Sequence, residues 1–513
     1  MKVTHVKNEP VWTHDARIAT RAALKEDASA DVCVVGAGIA GLTTAYLLAK
    51  AGRKVIVLDD GKIGGGQTSC TSAHLSFMLD RRYSSIVASR GVEVARLAAA
   101  SHAAAIDLIE TIALEEDIDC EFQRLDGYLF AIDDETTASV EQEGQILAGF
   151  GYSTELLAHV PWSSCLTFPA LRVPRQARFQ PLKYLRGLAK GLKHYGGVIH
   201  CQTHVTEVTG GKDANVKTRG GPQVSCGAIV VATNSPINDR YVIHTKQAPY
   251  MTYVVGARIP AGSVPDALYW DTDEPYHYIR LQQGKDDDRP LLLIGGEDHK
   301  TGQANDGDER FARLESWARE RFAQIDEVEY HWAGQVFETL DGLAYIGANP
   351  GDAQNVFIVT GDSGMGLTHG TIAGRLLTDL IHGVDNPWSA VYDPARTPMT
   401  TVGTFVRENV NVAAQYAQWL LPGDVESVDE IKPGQGAIVR EGLSKVAVYR
   451  EPNGKLTRLT AVCPHLKGIV QWNSSESTWD CPCHGSRFDA HGKVLVGPAN
   501  SNLERCDPRP TPK

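Results

Sequence analysis

A chain of 513 residues is longer than one hydrophobic core usually supports, so we expect two or three domains. Its 42% hydrophobic and 22% charged residues are typical of a soluble globular protein, and its net charge of -12 argues against a general nucleic-acid binder. Residues 1–27 resemble an N-terminal arm without a secretory signal, so we expect a cytoplasmic protein with no membrane span.

The first predicted elements are a strand, a glycine turn, a helix and a second strand, in the segment ADVCVVGAGIAGLTTAYLLAKAGRKVIVLDD. Gly36, Gly38 and Gly41 have the G-x-G-x-x-G spacing, which permits the turn, admits a pyrophosphate and allows close helix packing. Asp59 ends the second strand about 20 residues beyond the glycines, where an acid can bind the adenosine ribose, and Asp60 is the alternative. The pattern therefore predicts a dinucleotide site at the helix N-terminus.

Four further segments resemble flavoproteins of the glutathione-reductase type, and specifically the D-amino-acid oxidase and glycine oxidase superfamily. They are GKIGGGQTSCTSAHLS, PLKYLRGLAKGLKHYGGVIHCQTHVTEV, CGAIVVATNSP and NVFIVTGDSGMGLTHGTIAGRLLTDLIHG. The resemblance implies bound FAD, with Val205 against the adenine and the last helix pointing its N-terminus at the flavin pyrimidine. It also implies that two loops supply cofactor contacts, namely Ala232, Thr233, Gly361, Gly364, Gly366 and Leu367.

The resemblance implies the domain organisation as well. We expect an α/β FAD-binding domain of the glutathione-reductase-like Rossmann type in residues 28–240 and 331–400. An inserted α+β substrate domain has its sheet in residues 241–330, where strand-like runs such as YMTYVVGARI occur. Residues 401–420 form a linker and include FVRENVNVAAQYAQWL, which predicts an amphipathic helix. Four of its side chains share one face, namely Phe405, Val412, Tyr416 and Trp419.

The substrate side departs from the amino-acid-oxidising relatives. Their counterpart of HWAGQVFETLDGLAYIG carries an arginine that pairs with the substrate carboxylate, whereas here Val336 and Phe337 stand at the expected Arg-Pro. Arg280 could supply the missing cation from the neighbouring sheet or form a structural ion pair. His74 and His369 are expected near the flavin, as a base, a hydrogen-bond donor or a flavin attachment point. For each of them a structural histidine is the alternative.

The chain has ten cysteines, and only those near the C-terminus form a cluster, whereas the others are scattered singly. This pattern indicates one metal site rather than a disulfide framework. The pattern there is C-x-H, then fifteen residues, then C-x-x-H, from Cys463, His465, Cys481 and His484. Two thiolates suit one iron of a [2Fe-2S] cluster and two imidazoles the other, although one zinc ion could use the same ligands. The following HGSRFDAHGKVLVGPANSNL resembles the Rieske loop and its next strand. The resemblance therefore implies an all-β Rieske domain in residues 421–513.

Four positions in these loops bear on the reduction potential of the cluster. Respiratory Rieske proteins join two extra loop cysteines in a disulfide. In this chain Cys483 matches one of those cysteines, but the other position is Gly468, so no bridge can form. Ser486 matches the serine that donates to a cluster sulfide, whereas Phe488 stands where the family has a tyrosine. We expect a potential below that of the respiratory proteins and above that of ring-hydroxylating oxygenases, because one donor hydrogen bond is missing.

Together these features predict an FAD- and [2Fe-2S]-dependent oxidoreductase. We expect it to oxidise a small amine or N-substituted amino acid and to pass electrons singly through the cluster to an external acceptor. The acceptor is a one-electron carrier, such as a ferredoxin-like protein, a cytochrome or a quinone, or else O2. Electron flow could instead run from the cluster to FAD, for reduction or O2 activation. A third alternative is a non-enzymatic redox sensor.

Overall fold

The structure of the protein is a computed structural model that describes residues 6–7, 9–162, 168–238, 243–283, 289–396 and 402–506. For residues 6–7 and 402–408 it describes the backbone but not the surroundings of the side chains. The predicted contact of Phe405 on the linker helix therefore lies outside the described side chains.

The first 396 residues contain strands from two sheets and the helices that cover them. The strands are β1 (Val6–Lys7), β2 (Ala28–Val35), β3 (Val55–Leu58), β4 (His74–Leu75), β5 (Gln123–Phe130), β6 (Glu155–Leu157), β7 (Ala170–Arg178), β8 (Val198–His200), β9 (Val205–Thr209), β10 (Asn215–Thr218), β11 (Gln223–Val231), β12 (Gln247–Arg258), β13 (Leu268–Asp271), β14 (Tyr278–Gln282), β15 (Leu291–Lys300), β16 (Val328–Thr339), β17 (Tyr345–Ala348) and β18 (Val356–Thr360). The helices are α1 (Trp12–Asp15), α2 (Ile39–Lys50), α3 (Tyr83–Arg90), α4 (Val92–Glu115), α5 (Asp134–Gly149), α6 (Pro181–His194), α7 (Gly307–Arg321), α8 (Gly366–Ile381) and α9 (Ser389–Tyr392).

The first sheet is the predicted dinucleotide-binding sheet. Six of its strands lie in the order β17-β18-β11-β2-β3-β8 and run parallel to their neighbours except β17, and β10 and β9 extend the sheet from β11 in antiparallel pairing. The run VCVV of β2 and all of β3 are buried, as parallel strands covered on both faces require. Helices α2 and α8 pack against one another beside this sheet. The carboxyl ends of β2, β11 and β18 therefore meet at one edge, where open α/β sheets bind ligands.

The second sheet extends beyond the range predicted for the substrate domain. Its strands lie in the order β1-β16-β12-β15-β14-β13-β5-β7-β4, with β6 paired to β7. Strands β12 to β15 come from the predicted range 241–330, but β4, β5 and β7 come from 28–240, which was assigned to the FAD-binding domain. Local patterns do not reveal this, because a strand such as β5 joins β13 by pairing across about 140 residues of chain.

The C-terminal part consists of a helix and two small antiparallel sheets, which confirms the all-β class predicted for this domain. Its elements are α10 (Val402–Gln415) with a 3-10 turn at Tyr416–Trp419, then β19 (Gly436–Glu441), β20 (Ser444–Arg450), β21 (Leu456–Thr460), β22 (Gln471–Asn473), β23 (Thr478–Asp480), β24 (Arg487–Asp489) and β25 (Val494–Val496). The sheets are β19-β20-β21 and β22-β23-β24-β25. The two loops with the predicted metal ligands precede β22 and join β23 to β24.

One helix, α4, is long and apolar enough to cross a membrane by length and composition, with a mean hydropathy of 1.4 over its most apolar stretch. Half of that stretch is buried inside the protein, where Ala98, Ile106 and Ile109 join the largest hydrophobic core. The core helix of a folded protein passes the same test, so α4 is weak evidence for a membrane span.

Candidate functional site

A cavity of about 570 Å³ lies where the carboxyl ends of β2, β11 and β18 face the large sheet. The glycine turn after β2 and the acids after β3 line one side, and aromatic side chains from the large sheet line the other. Most site residues predicted for this part of the chain line it, namely Gly36, Gly38, Asp59, Asp60, His74, Val205, Ala232, Thr233, Gly364, Gly366, Leu367 and His369. Gly41, Gly361 and Arg280 are not lining residues.

The turn after β2 has the geometry that the glycine spacing predicts. Gly36 has a φ of +108°, which favours glycine, and a Cβ there would overlap the carbonyl oxygen of Ala232. A Cβ at Gly41 would overlap the carbonyl oxygen of Gly36, so this glycine allows α2 to pack against the turn. Gly38 and Ile39, at the N-terminus of α2, line the cavity, where the helix N-terminus can bind a phosphate, and the N–H of Ile39 donates to Oγ1 of Thr68 at 3.1 Å.

Asp59 and Asp60 both border the cavity but contact different groups. Asp59 accepts hydrogen bonds from the backbone N–H of Ala37 at 2.7 Å and of Gly61 at 2.8 Å, so its carboxylate stabilises the glycine turn. Burial raises the pKa of Asp59 in spite of these bonds. Asp60 lies 3.0 Å from His204, and this hydrogen bond lowers the pKa of Asp60. Recognition of the ribose by either acid stays a prediction.

Helix α8 points its N-terminus at the cavity. It begins at Gly366, which lines the cavity together with Gly364 and Leu367, and Gly361 turns the chain after β18 with a φ of +73°. The aligned peptide groups of α8 place a partial positive charge at this end. The wall therefore favours negative charge on a bound group.

His74 lies at the cavity, but both of its ring nitrogens contact the protein. Nδ1 lies 3.0 Å from the Ser72 hydroxyl and Nε2 lies 3.2 Å from the carbonyl oxygen of Ile279. Burial, and then the charge of Arg280, lower the pKa of His74 to about 3. The imidazole is therefore neutral and engaged, which favours the structural alternative over a catalytic base.

His369 forms a buried pair with His102, which was not among the predicted site residues. Their Nε2 atoms lie 3.2 Å apart, His369 Nδ1 lies 3.0 Å from the carbonyl oxygen of Asp362, and the N–H of Ala344 donates to His369 Nε2 at 3.3 Å. Because Nδ1 of His369 must donate to the carbonyl oxygen of Asp362, Nε2 of His369 is an acceptor, and the Nε2–H of His102 donates a hydrogen bond to it. Burial lowers the pKa of both, to about 4 for His369. These bonds favour the structural alternative for His369 over a catalytic base.

Arg280 lies away from the cavity, contrary to the role considered for it. Its buried guanidinium donates to the backbone carbonyls of Ala73, Phe179 and Leu281 and to the side chain of Gln282. These bonds satisfy all three nitrogens within the protein. Arg280 is therefore a structural cation, and it does not replace the arginine that is missing at Val336.

The four predicted metal ligands lie together in the two C-terminal loops. The thiols of Cys463 and Cys481 are buried and within hydrogen-bonding reach of one another, and the rings of His465 and His484 have centroids 5.1 Å apart. Nδ1 of His484 is buried and has no hydrogen-bond partner among the described residues, as expected of a nitrogen that binds iron. Two thiols and two imidazoles in this arrangement fit a [2Fe-2S] cluster.

Family models match both parts of the chain. Residues 31–380 match the family described as FAD dependent oxidoreductase, and residues 422–507 match the Rieske [2Fe-2S] domain. The chain belongs to the FAD-dependent oxidoreductase family. FAD and a [2Fe-2S] cluster are therefore its cofactors, and the predicted fusion of the two domains is confirmed.

Known proteins show the same relationships. The Rieske 2Fe-2S iron-sulfur protein YhfW of Bacillus subtilis strain 168 is 29% identical over 506 residues, covering 97% of both chains. Gamma-glutamylputrescine oxidoreductase of Escherichia coli K12 is 27% identical over 375 residues, covering 70% of this chain and 85% of that protein. Glycine oxidase from Geobacillus kaustophilus has a similar fold, with a TM-score of 0.62 and 20% identity over 72% of this chain and 99% of that structure.

The FAD cavity of this oxidoreductase contains acids that were not among the predicted site residues. Asp80, Asp298 and Asp362 line it, and Glu338 lies close enough for their charges to raise its pKa further, beyond the effect of burial. Burial raises the pKa of Asp80 and of Asp362 to about 6 and that of Asp298 to about 7. The sequence offers one sign of such a site, namely an acid at the end of a buried strand, as Asp298 in LLLIGGEDHK. Acids in this position are common without a function, so this sign does not predict the site.

Aromatic rings complete this side of the cavity. Trp270, Tyr276 and Tyr278 line it, and the hydroxyl of Tyr276 donates to Asp80 at 3.1 Å. Val336 lines the cavity where the amino-acid-oxidising relatives have an arginine. Among the described residues the lining contains no arginine, and its lysines are Lys62 and Lys493, beside the acids that follow β3. The substrate side of the cavity is therefore acidic and aromatic.

In the loops of the Rieske domain, Ser486 and Gly468 lie beside cysteine side chains. The hydroxyl oxygen of Ser486 accepts a hydrogen bond from the N–H of Ala499 at 2.9 Å. The hydroxyl proton of Ser486 therefore stays available for donation towards the cluster. A Cβ at Gly468 would lie 2.6 Å from Sγ of Cys483, so a cysteine there would be close enough to bridge. With glycine in place, Cys483 stays a free thiol, and Phe488 is buried without a hydroxyl.

The linker helix stabilises the first ligand loop. The hydroxyl of Tyr416 donates to the carbonyl oxygen of Leu466 at 2.6 Å, and Nε1 of Trp419 donates to that of Lys467 at 3.0 Å. Val412 packs against the same core, as do both rings. Three of the four side chains predicted to share a face therefore contact the Rieske domain.

The Rieske domain also closes the nucleotide side of the FAD cavity. Residues 493–497 and Ala499 and Asn500 line it. The side-chain amide of Asn500 donates to the carbonyl oxygen of Thr206 at 3.2 Å, next to the adenine contact predicted at Val205. The two domains therefore share one cavity wall.

Proposed function

We propose that this oxidoreductase removes two electrons from a small cationic amine at the FAD site and releases them singly through the Rieske cluster to an external one-electron carrier. The acidic and aromatic lining of the substrate side is the observation that carries the proposal. The name of the Escherichia coli relative, gamma-glutamylputrescine oxidoreductase, supports an amine as the substrate class.

The charges of the lining favour a cation over an amino acid. Asp80, Asp298 and Asp362 repel one another and Glu338, and a substrate carboxylate would add a further negative charge without a fork-shaped partner. An ammonium group relieves this repulsion instead. The rings of Trp270, Tyr276 and Tyr278 add an attraction of about 0.5–2 kcal/mol for a cation over their faces.

Asp298 is suited to take a proton from the substrate. Its Oδ1 is buried and has no hydrogen-bond partner among the described residues, and its pKa is raised to about 7 by burial first and by the charge of Asp80. Near neutral pH it can accept a proton from the ammonium group, which frees the nitrogen lone pair for formation of a C=N bond. FAD supplies the two-electron acceptor for this oxidation and the [2Fe-2S] cluster supplies one-electron exchange.

Anaerobic titration of the holoenzyme tests the proposal. We would compare a diamine, a monoamine and an amino acid of the same chain length, and follow the flavin absorbance and the cluster signal separately. We expect the amines to bleach the flavin and then reduce the cluster, and the amino acid to do neither. Reduction by the amino acid alone would contradict the proposal. If no amine reduces the flavin but a reduced carrier drives O2 consumption, electrons flow in the reverse direction.

Matched variants connect the result to the acidic lining. Asp298→Asn removes a buried partner of the cation and should cost about 2 kcal/mol, which is roughly a thirtyfold rise in KM for an amine. Asp326→Asn is the control, because Asp326 is exposed and pairs with Arg289 away from the cavity. An equal effect of both variants would argue against the assigned site.

A further inference from the structure

Gln335 on β16 touches both cofactor sites. Its backbone N–H donates to Oε1 of Gln67 at 2.7 Å, and both residues line the FAD cavity. Its side-chain Nε2 donates to the carbonyl oxygen of Gly485 at 2.8 Å and lies 3.2 Å from the hydroxyl of Thr301. Gly485 directly follows the iron ligand His484. One residue therefore spans the wall between the FAD cavity and the second cluster loop.

The side chain of Gln335 is engaged through its NH2 group. Gln335 is 1% exposed, its Oε1 has no hydrogen-bond partner among the described residues, and both bonds of the amide are donated by Nε2. A buried amide oxygen without a hydrogen-bond partner lowers the stability of the folded protein, so a glutamine at this position is not explained by packing alone. The contact with Gly485 gives it a role that a hydrophobic residue of similar size would not fulfil.

The cluster loop fits closely against the large sheet at this point. A Cβ at Gly485, where φ is +78°, would lie 2.5 Å from Cβ of Pro249 and 2.7 Å from Nε2 of Gln335. Close by, a Cβ at Gly302 would lie 2.9 Å from the carbonyl oxygen of Asp480 and 3.0 Å from the nitrogen of Pro482. The backbone of the loop and that of the sheet segment are therefore in direct contact at these two glycines.

The imidazole ligands are covered from the same side. The ring of His244, in the segment before β12, has its centroid 4.9 Å from that of His465 and 6.0 Å from that of His484, and His244 is 2% exposed. A Rieske domain that moved away from the flavin domain would have to expose these rings and break the Gln335 bond. The contacts therefore favour a cluster that stays docked.

We propose that Gln335 is a positioning residue that holds the cluster loop against the FAD cavity, so that electrons cross between the two cofactors at this contact without movement of the Rieske domain. The direction of flow rests on the proposed function. In that direction, oxidation of one protonated amine to its iminium form releases two electrons and two protons. The protons go to solvent, and the electrons pass one at a time to two molecules of the external one-electron carrier.

Single-electron injection into the holoenzyme, with no amine present, tests this proposal. A photoexcited deazaflavin delivers the electron, and absorbance follows its equilibration between flavin and cluster. We expect Gln335→Ala and Gln335→Met to slow equilibration roughly tenfold or more, the range typical for loss of an outer contact of a metal site. An unchanged rate in both variants overturns the proposal. Because no amine is used, an error in the substrate class does not affect this outcome.

A control and a second measurement separate positioning from general loosening. Gln303→Ala removes a side chain that contacts Asn411 and Pro482 at the same interface but does not line the FAD cavity, and it should equilibrate at the normal rate. Equal slowing in Gln303→Ala overturns the proposal. Gln335→Met keeps the side-chain length, and hydrogen exchange of residues 481–486 in its holoenzyme should be faster than in the parent. Unchanged exchange there also counts against a docking role for Gln335.

Discussion

The imidazole of His244 packs edge-on against that of the predicted iron ligand His465, with ring centroids 4.9 Å apart and planes inclined by 76°. His244 belongs to the part of the chain that matches the FAD-dependent oxidoreductase family, and it is 2% exposed. Its ring therefore covers one side of the imidazole pair, of which His484 is buried and His465 is partly exposed.

Truncation of His244 should raise the reduction potential of the cluster. His244→Ala admits water beside the imidazole ligands, and water stabilises the added negative charge of the reduced cluster. We expect a rise of roughly 60 mV, which corresponds to one factor of ten for a one-electron couple. A redox titration followed by EPR measures it, with His194→Ala on α6 as the control. A fall in the potential would show that His244 itself stabilises the reduced cluster.

Ser486 should have the opposite effect. Its hydroxyl oxygen is occupied by the N–H of Ala499, so its proton is the part available to the cluster. Ser486→Ala removes this donor and should lower the potential by roughly 60 mV or more, because fewer dipoles stabilise the added electron. The same titration checks it, with Ser474→Ala as the control, because the half-buried Ser474 donates its hydroxyl to Asn305 instead. Phe488→Tyr, which adds a hydroxyl, should raise the potential if its ring keeps the parent position.

Amine binding should weaken as the pH falls through about 7. The folded-state pKa of Asp298 is raised to about 7, so this carboxyl loses its negative charge below that pH, whereas an ordinary aspartate would keep it down to about 4. The KM for a cationic amine should therefore rise up to about tenfold per pH unit below 7. Asp298→Asn should remove most of this dependence. A KM that instead falls with decreasing pH would contradict the assigned contact.

The third glycine of the nucleotide turn should be necessary for FAD binding. Gly41→Ala forces α2 away from the carbonyl oxygen of Gly36 and distorts the phosphate site, so we expect purified protein with little flavin. The ratio of flavin to protein absorbance measures the loss. Gly149→Ala, at the end of α5 where a Cβ meets nothing within 4 Å, should retain full flavin. The iron content of both variants should equal that of the parent protein, because the predicted cluster ligands lie in another domain.

The sites that could be predicted from the sequence depend on short segments. The glycine turn at Gly36 and the ligand loops at Cys463 and Cys481 each need only a few adjacent residues, and their spacing is imposed by the group that they bind. Arg280 shows the limit of such reasoning. Its type and its place in a strand of the neighbouring sheet suggested a substrate contact, but the fold turns its guanidinium towards the carbonyl groups of Ala73 and Phe179.

By itself the sequence determined the two cofactors and the order of their domains, because local motifs and strand patterns carry that information. The tertiary structure alone decided how the cavity is charged and how the domains meet. Asp80, Asp298 and Asp362 lie far apart in the chain and form one acidic wall only after the sheets assemble. Gln335 and Gly485 likewise meet across 150 residues, since their hydrogen bond depends on docking of two separately patterned domains.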